Sequence, residues 1–486
     1  MLITFVVLYL LLSVAIGLLA ARRVQNTADY ALAGRKLPLA IVVATTFATW
    51  FGSETVLGVP ARFVSGNLGE VVEDPFGASM CLILVGLFFA YKLYQRNLIT
   101  LGDYYRQRFG RLIEVLCSIM IIISYLGWVA AQITALGLVF HVLLPDTVSV
   151  AGGMAIGTAI VLVYTLFGGM WSVALTDFMQ MIVIAAGLLA IAWFAAELAG
   201  GAGAVFEYAA SNGKFRFFPE DGDAKTWTFF FAAAITMMLG SIPQQDVFQR
   251  VMSAKDAKTA KRGPIIGGSL YLLFAFVPMF VVTAAVMVLG ADGAKLLADD
   301  PQKVLPTLVM QKMPVLLQVA FFGALLSAVM STASATLLAP ATTFVENILR
   351  NIVPGMGDQA TLKAMRLSVL AFTAIVLTYS IVMQGTSIYD LVSGAYQVPL
   401  VGAFVPLVMG LYWRRATTQG ALFSVTAGLG TWLFFVVSPP LAEQFPQQLA
   451  GLVAAFAGMV FGSLAPQWIA NHKGHVHHFE ARDAAA

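Results

Sequence analysis

Apolar runs of about twenty residues recur along almost the whole chain, and that recurrence leaves few folds open. They fall at roughly 2–21, 38–66, 69–91, 111–143, 148–167, 171–198, 226–248, 264–290, 314–350, 361–383, 386–412, 415–438 and 446–470. A helix rises about 1.5 Å per residue, so each run can cross a hydrocarbon layer about 30 Å thick. The chain is 59% hydrophobic and only 11% charged, with a mean hydropathy of +0.84. Ordinary soluble chains carry about 25% charged residues. No soluble core of 486 residues could hide this much apolar surface. The fold class expected is all-α integral membrane, with about thirteen transmembrane helices.

Loop charges supply an orientation. Basic residues cluster after the first run (Arg22, Arg23, Arg35, Lys36) and after the third (Lys92, Arg96, Arg106, Arg108, Arg111). They cluster again after the seventh (Arg250, Lys255, Lys258, Lys261, Arg262) and after the eleventh (Arg414, Arg415). These are alternate loops, so all lie on one side, and Lys/Arg-rich loops stay cytoplasmic. The loops between are acidic or balanced, with Glu70, Glu73 and Asp74 in one of them. The first run has Arg22-Arg23 behind it and nothing basic before it, opposite to a cleaved signal peptide. The expectation is a multi-pass protein of the cell inner (plasma) membrane, with the N-terminus outside and the C-terminus cytoplasmic.

Other functional classes find little support. Cys81 and Cys117 both sit in apolar runs, which argues against a disulfide framework. His472, His475, His477 and His478 read as a solvated tail, because no Cys or carboxylate stands beside them at metal-site spacing. No nucleophile–base or metal constellation suggests an enzyme. The net charge of +3 points to no nucleic acid. Membrane lipid is the one partner implied by composition; the oligomeric state is not legible.

Two runs are poor helices. Residues 46–60, TFATWFGSETVLGVP, contain Gly52, Gly58 and Pro60 and bury an ionisable Glu54. Residues 237–250, MMLGSIPQQDVFQR, contain Gly240, Pro243 and a row of amides. Proline removes a backbone donor and clashes with the preceding turn. Backbone groups freed inside a bilayer must be satisfied by protein or water, so such breaks belong where they line a site. The two broken runs open successive five-helix blocks, and matched breaks in two halves mark an inverted-repeat transporter. The expected organisation is an N-terminal anchor helix and cytoplasmic loop at 1–37, a first repeat at 38–200 and an extracytoplasmic loop at 201–225. A second repeat at 226–412, two C-terminal helices at 413–470 and a tail at 471–486 complete it. Ordinary kinked helices packed in a bundle are the alternative.

Three motifs carry a resemblance. GGMWSVALTDFMQ at 168–180 joins a Gly-Gly turn to a Thr-Asp pair and a Gln. ALLSAVMSTASATLLA at 324–339 places small and hydroxyl residues in a row. Ala48 to Pro60 form the third. Together they resemble the sodium:solute symporter family, and the likeness runs over nearly the whole chain. It implies a leucine-transporter-type fold, a core of five plus five inverted helices with two broken ones. It also implies sodium-coupled symport of a small organic solute by alternating access. By resemblance, Ala48, Phe51 and Ala328 would offer backbone oxygens, and Ser331 and Thr332 hydroxyls, to a sodium ion between the second and ninth helices. Asp177, Ser331 and Ser334 suit a second ion, although Ala335 stands where two-sodium members carry another hydroxyl; Asp177 would otherwise stabilise the first site from a distance. A Ser/Thr row also serves close helix packing.

Within that family the chain resembles the high-affinity choline transporters and the sodium/proline symporters. ATW at 48–50, LILVGLFFA at 82–90 and SIPQQDVFQRV at 241–251 echo the choline carriers. Those carriers hold a quaternary ammonium in an aromatic box, by cation–π contact. Trp50 and Trp128 match two box positions, while Gln244 and Ala78 stand where rings are expected. Glu54, Gln132, Gln244 and Gln245 give the site a polar character suited to an amine-bearing solute or an amino acid. Phe76 and Tyr396 are candidate wall residues. Glu54 either pairs with an ammonium or is a protonated structural group. Trp128 could equally be core packing. Asp246 and Arg250 read as a gate or structural pair, and Asp390 as a surface carboxylate. The alternatives are transport of a monocarboxylate or other anion, and a membrane solute sensor acting with a separate signalling partner.

Overall fold

A computed structural model describes residues 2–220 and 222–472. Among them only helices form; the one β-bridge joins Leu37 to Ala254. Ten helices are long and apolar enough to cross a membrane, and two bent pairs raise the number to twelve. The helix Val150–Leu198 has 49 residues. At 1.5 Å per residue it would be about 74 Å long, over twice the thickness of a bilayer core. It is interrupted at Gly169 (φ 49, ψ −139), within the Gly-Gly turn, and so supplies two spans. A side chain there would collide with the Tyr30 carbonyl, so both the positive φ and the close approach require glycine. The resulting count agrees with the expected thirteen or so.

The spans are numbered here along the chain. Span 1 is Leu2–Ala21, span 3 Leu68–Tyr94 and span 4 Arg111–Leu143. Spans 5 and 6 are the two parts of Val150–Leu198, and span 8 is Ala257–Leu289. Span 9 is Val315–Ile352, span 10 Asp358–Val382, span 11 Ile388–Tyr412, span 12 Thr418–Val436 and span 13 Gln447–Leu464. Both expected breaks are present. Span 2 is Leu39–Trp50 followed by Glu54–Ser65, bent by 55°. Span 7 is Ala224–Gly240 followed by Gln245–Ser253, bent by 44°.

Packing follows side-chain size. Span 9 lies against spans 4, 5 and 6, and span 8 against the first half of span 2. Spans 12 and 13 form a hairpin on the outside. Residues 324–343 of span 9 are all buried, with Ala, Ser and Thr supplying more than half of them. Small residues let backbones approach closely, and the hydroxyls that come with them find partners across helices. Span 1, by contrast, turns Leu8, Leu11, Leu12 and Leu19 outward and is held to the core at Tyr9, which bonds Ser327 of span 9.

Candidate functional site

The break in span 2 begins where Phe51 leaves helical geometry (φ −89, ψ 66). The last carbonyls of Leu39–Trp50 are thereby released from intrahelical bonding. One of them, on Thr49, accepts the Thr332 hydroxyl of span 9 at 2.7 Å. Thr332 also lies 3.2 Å from the Ala328 carbonyl. Ala48, Phe51, Ala328, Ser331 and Thr332 are all buried, so the residues expected around sodium meet at one crossing of spans 2 and 9.

Asp177 of span 6 is fully buried beside them. Its carboxylate accepts Ser331 Oγ at 2.6 Å, Thr49 Oγ1 at 3.4 Å and the Thr45 hydroxyl. Arg250 of span 7 reaches the same cluster, donating to Thr49 Oγ1 at 2.6 Å and to the Asp246 carbonyl at 2.8 Å. Ser334, in contrast, bonds the Ser331 carbonyl at 3.0 Å and makes no hydrogen bond to Asp177. Gln180, one turn beyond Asp177, is buried with neither amide atom hydrogen-bonded.

A second cluster lies across the break. The rings of Trp50 and Trp128 meet edge to face with centroids 5.6 Å apart. Tyr396 of span 11 stacks on Trp50 at 6.2 Å and tilts against Trp128 at 5.5 Å. Tyr125 stacks on the other side of Trp128 at 6.1 Å. Each indole N–H donates to a different buried carboxylate. Trp128 Nε1 lies 3.0 Å from Glu54 Oε1, and Trp50 Nε1 lies 3.2 Å from Asp246 Oδ2. Gln132 clamps the break itself. Its Nε2 donates to Glu54 Oε2 at 2.7 Å, and its Oε1 accepts the Ser53 N–H at 2.9 Å. Four rings with two carboxylates at their edges suit a cation, because π faces and carboxylates share one sign of potential.

Several expectations need correcting. Phe76 is no wall of this cluster: it packs on Phe217 and Phe276, with ring centroids at 4.8 Å and 5.9 Å, beside the loop that precedes span 7. Gln245 points away as well. Its amide accepts the Leu101 N–H at 2.9 Å and donates to the Ile99 carbonyl at 3.4 Å, tying the break of span 7 to the loop after span 3. Gln244 stays near the rings, donating to Ser124 Oγ at 2.8 Å while its carbonyl oxygen has no partner. Asp246, read as half of a gate with Arg250, belongs to the aromatic cluster. Tyr125 Oη donates to it at 2.6 Å, and Arg250 reaches only its backbone oxygen.

Tyr125 and Asp246 are thus the residues that sequence reasoning missed or misplaced. Tyr125 lies three residues before Trp128, the spacing that puts two side chains on one helix face. Asp246 is the third residue after Pro243, in the first turn of the helix that follows the break. Asp390 is exposed and bonded to Ser387 at 2.6 Å, as a surface carboxylate should be. Of the tail histidines only His472 is described; His475, His477 and His478 lie outside the described residues. No cluster of three or more His, Cys, Asp or Glu suited to a metal occurs among the described residues.

Known proteins place this arrangement. The chain is 28% identical over 456 residues to the high affinity choline transporter 1 of Homo sapiens, covering 88% of this chain and 75% of that one. It is 27% identical over 453 residues to the high-affinity proline transporter PutP of Bacillus subtilis (strain 168), covering 91% and 94%. In fold it is similar to a Na+-coupled sialic acid symporter in a substrate-bound outward-open state, with a TM-score of 0.85 at 18% identity, over 96% of this chain and 97% of that one. Mhp1, a nucleobase-cation-symport-1 family transporter, aligns with a TM-score of 0.55 at 15% identity, over 90% and 94%. The sodium:solute symporter family model matches residues 30–428, which hold both breaks, the Asp177 cluster and the four rings. This chain therefore belongs to the sodium:solute symporter family and is a sodium-coupled secondary transporter rather than an enzyme.

Proposed function

We propose that the protein carries a small amine-bearing solute into the cell together with sodium, the solute held between the breaks of spans 2 and 7. The observation that carries this reading is the ring cluster of Trp50, Tyr125, Trp128 and Tyr396 with Glu54 and Asp246 at its edges. An anionic solute such as a monocarboxylate would face two buried carboxylates there and only π faces between them. Sodium is assigned to the crossing of spans 2 and 9, with Ala48, Phe51 and Ala328 offering carbonyls and Ser331 and Thr332 hydroxyls. Sodium is a hard cation, and unwound backbone with helix ends is the usual way such folds coordinate it. Asp177 sits close enough to balance the ion's charge, through the Ser331 hydroxyl.

The two clusters meet through Thr49, Trp50 and Arg250. Arg250 bonds Thr49 of the ion cluster and the backbone of Asp246 in the ring cluster. Occupancy of either cluster is then felt by the other, which is the coupling symport requires. The membrane is the inner (plasma) membrane, with the basic loops in the cytoplasm. Inward movement of one net charge then gains about 2.3 kcal/mol per 100 mV.

A binding screen tests the reading. The purified protein is melted in sodium and in potassium buffer with amines, amino acids, choline and monocarboxylates. Stabilisation by an amine-bearing solute, in sodium only, is expected. Sodium-dependent stabilisation by acetate alone would refute the assignment of the ring cluster to a cation.

A further inference from the structure

Glu54 follows the break of span 2, yet its carboxylate is held by span 4. Trp128 Nε1 donates to Oε1 at 3.0 Å and Gln132 Nε2 to Oε2 at 2.7 Å. Trp128 and Gln132 are four residues apart, so both project from one helix face. Gln132 also reaches the backbone: its Oε1 accepts the Ser53 N–H at 2.9 Å. One end of its amide thus bonds the main chain of the break, and the other end bonds Glu54. The amide is planar and rigid, so the two ends move together. Gln132, Ser53 and Glu54 are all buried, where such bonds are costly to lose.

The ion crossing presses on the same stretch of backbone. A Cβ on Gly52 would lie 2.5 Å from Glu54 Oε2, 2.6 Å from Thr332 Oγ1 and 2.9 Å from Gln132 Oε1. All three are closer than carbon and oxygen can pack, so the space beside Gly52 is filled. Side chains of spans 4 and 9 are packed against this one residue, and only glycine admits both. Gly52 follows Phe51, whose carbonyl is assigned to sodium, and the Ser53 N–H belongs to the peptide unit after it. The chain leaves helical geometry at Phe51 (φ −89, ψ 66) and has regained it at Ser53 (φ −61, ψ −35). A tilt of the peptide units that flank Gly52 therefore reaches Gln132 Oε1 within one residue.

We propose that Gln132 is the positioning residue through which sodium at the crossing of spans 2 and 9 sets Glu54 and, behind it, the ring cluster. The inference rests on the sodium assignment above and deepens it; it requires no particular solute. The ion gathers the Ala48 and Phe51 carbonyls and the Thr332 hydroxyl at one point. That orders the backbone on both sides of Gly52 and fixes the Ser53 N–H. Gln132 follows through its carbonyl oxygen and carries its N–H, and with it Glu54 Oε2. Trp128 holds the other oxygen of that carboxylate and touches Trp50, Tyr125 and Tyr396, with ring centroids at 5.6, 6.1 and 5.5 Å. This route is separate from the one through Arg250, which enters from span 7 by way of Thr49. Coupling of this kind acts equally in both directions, so whatever orders Glu54 also favours the ion.

The test needs sodium alone. The full chain is labelled with fluorotryptophan, placed in lipid nanodiscs and titrated with sodium in exchange for potassium, and fluorine NMR spectra are recorded. The Trp50 and Trp128 resonances are assigned from Trp50→Phe and Trp128→Phe. Trp50 stands between the ion ligands Ala48 and Phe51 and reports the ion directly, whereas Trp128 reports Glu54. In the wild type both resonances should shift with the same half-saturating sodium. In Gln132→Met the Trp50 shift should remain, while Trp128 keeps less than half of its own, the remainder coming from its contact with Trp50. Ser53→Pro removes the same N–H at a residue whose φ of −61 suits proline, and should give the same result with Gln132 in place. A full Trp128 shift in a variant that retains the Trp50 shift overturns the proposal and leaves the ion crossing standing. So does a wild-type Trp128 that ignores sodium while Trp50 responds. A wild-type Trp50 that does not respond removes the ion crossing, and the proposal with it. Should Gln132→Met lose its sodium response altogether, Ser53→Pro decides.

Discussion

Spans 2 and 7 break in similar ways and use the break differently. Span 2 is interrupted at Gly52 and span 7 between Gly240 and Pro243, with bends of 55° and 44°. Span 2 turns its break inward: Trp50, Gly52 and Glu54 face the rings and the Thr332 hydroxyl. Span 7 divides its break between two directions. Asp246 and Gln244 face the rings, whereas Gln245 holds the backbone of the loop after span 3 at Ile99 and Leu101. That loop continues into the short helix Leu101–Phe109, anchored by Thr100 and Asp103 to the buried Asn347 of span 9. One break therefore builds the proposed binding surface, and the other links that surface to the loop between spans 3 and 4. An interrupted helix identifies a site, and its side-chain partners decide whether it binds or transmits.

Substitutions can break this contrast. The largest effect is expected at the ion crossing. Ser331→Ala and Thr332→Ala should each raise the sodium concentration for half-maximal uptake tenfold or more. Uptake undiminished in sodium-free medium would discard the crossing as the ion site. Next comes Gln245→Ala, which strands the buried Leu101 N–H at a cost of about 1–3 kcal/mol. Its expected signature is a several-fold slower turnover with substrate affinity unchanged, measured by uptake and by equilibrium binding on the same preparation. A loss of affinity as large as that of a ring-cluster variant would show that Gln245 belongs to the binding surface after all. Trp50→Ala should show the reverse pattern, weakening a cationic substrate by about 0.5–2 kcal/mol through lost cation–π contact. The smallest effect is expected at Arg62–Glu70, an ion pair of 3.1 Å whose side chains are about half exposed. Exposed pairs contribute roughly 0–1 kcal/mol, so Arg62→Gln should leave melting temperature and sodium dependence within error. A marked loss of transport there would give the far end of span 2 a role comparable to that of Gln245.

Orientation can be tested independently. Cysteine at the exposed Ala210 should react with an impermeant reagent outside intact cells, and cysteine at the exposed Lys258 should not. The opposite labelling would invert both ends of the comparison.

Sequence alone determined the spans, the two breaks and the Thr-Asp pair. These are local properties: twenty apolar residues fit a bilayer whatever their neighbours do, and Gly or Pro interrupts a helix by its own chemistry. The Ser331 and Thr332 hydroxyls were singled out through the resemblance to the sodium:solute symporter family; their depth alone says only that polar groups there must find partners. Only tertiary structure decided where the amides and rings of the breaks point. Gln244 and Gln245 are adjacent, yet one meets Ser124 and the other the loop at Leu101. A break rotates side chains by an amount that no helical period predicts. Phe76 likewise took its neighbours from packing, against Phe217 and Phe276. Asp246 was read as half of a gate because Arg250 lies one turn away in sequence. Packing instead brought Tyr125 and Trp50 to its carboxylate and left Arg250 only the backbone oxygen. The crowding of Glu54, Gln132 and Thr332 against Gly52 depends on three spans crossing at one glycine, and such an approach exists only once the helices have packed.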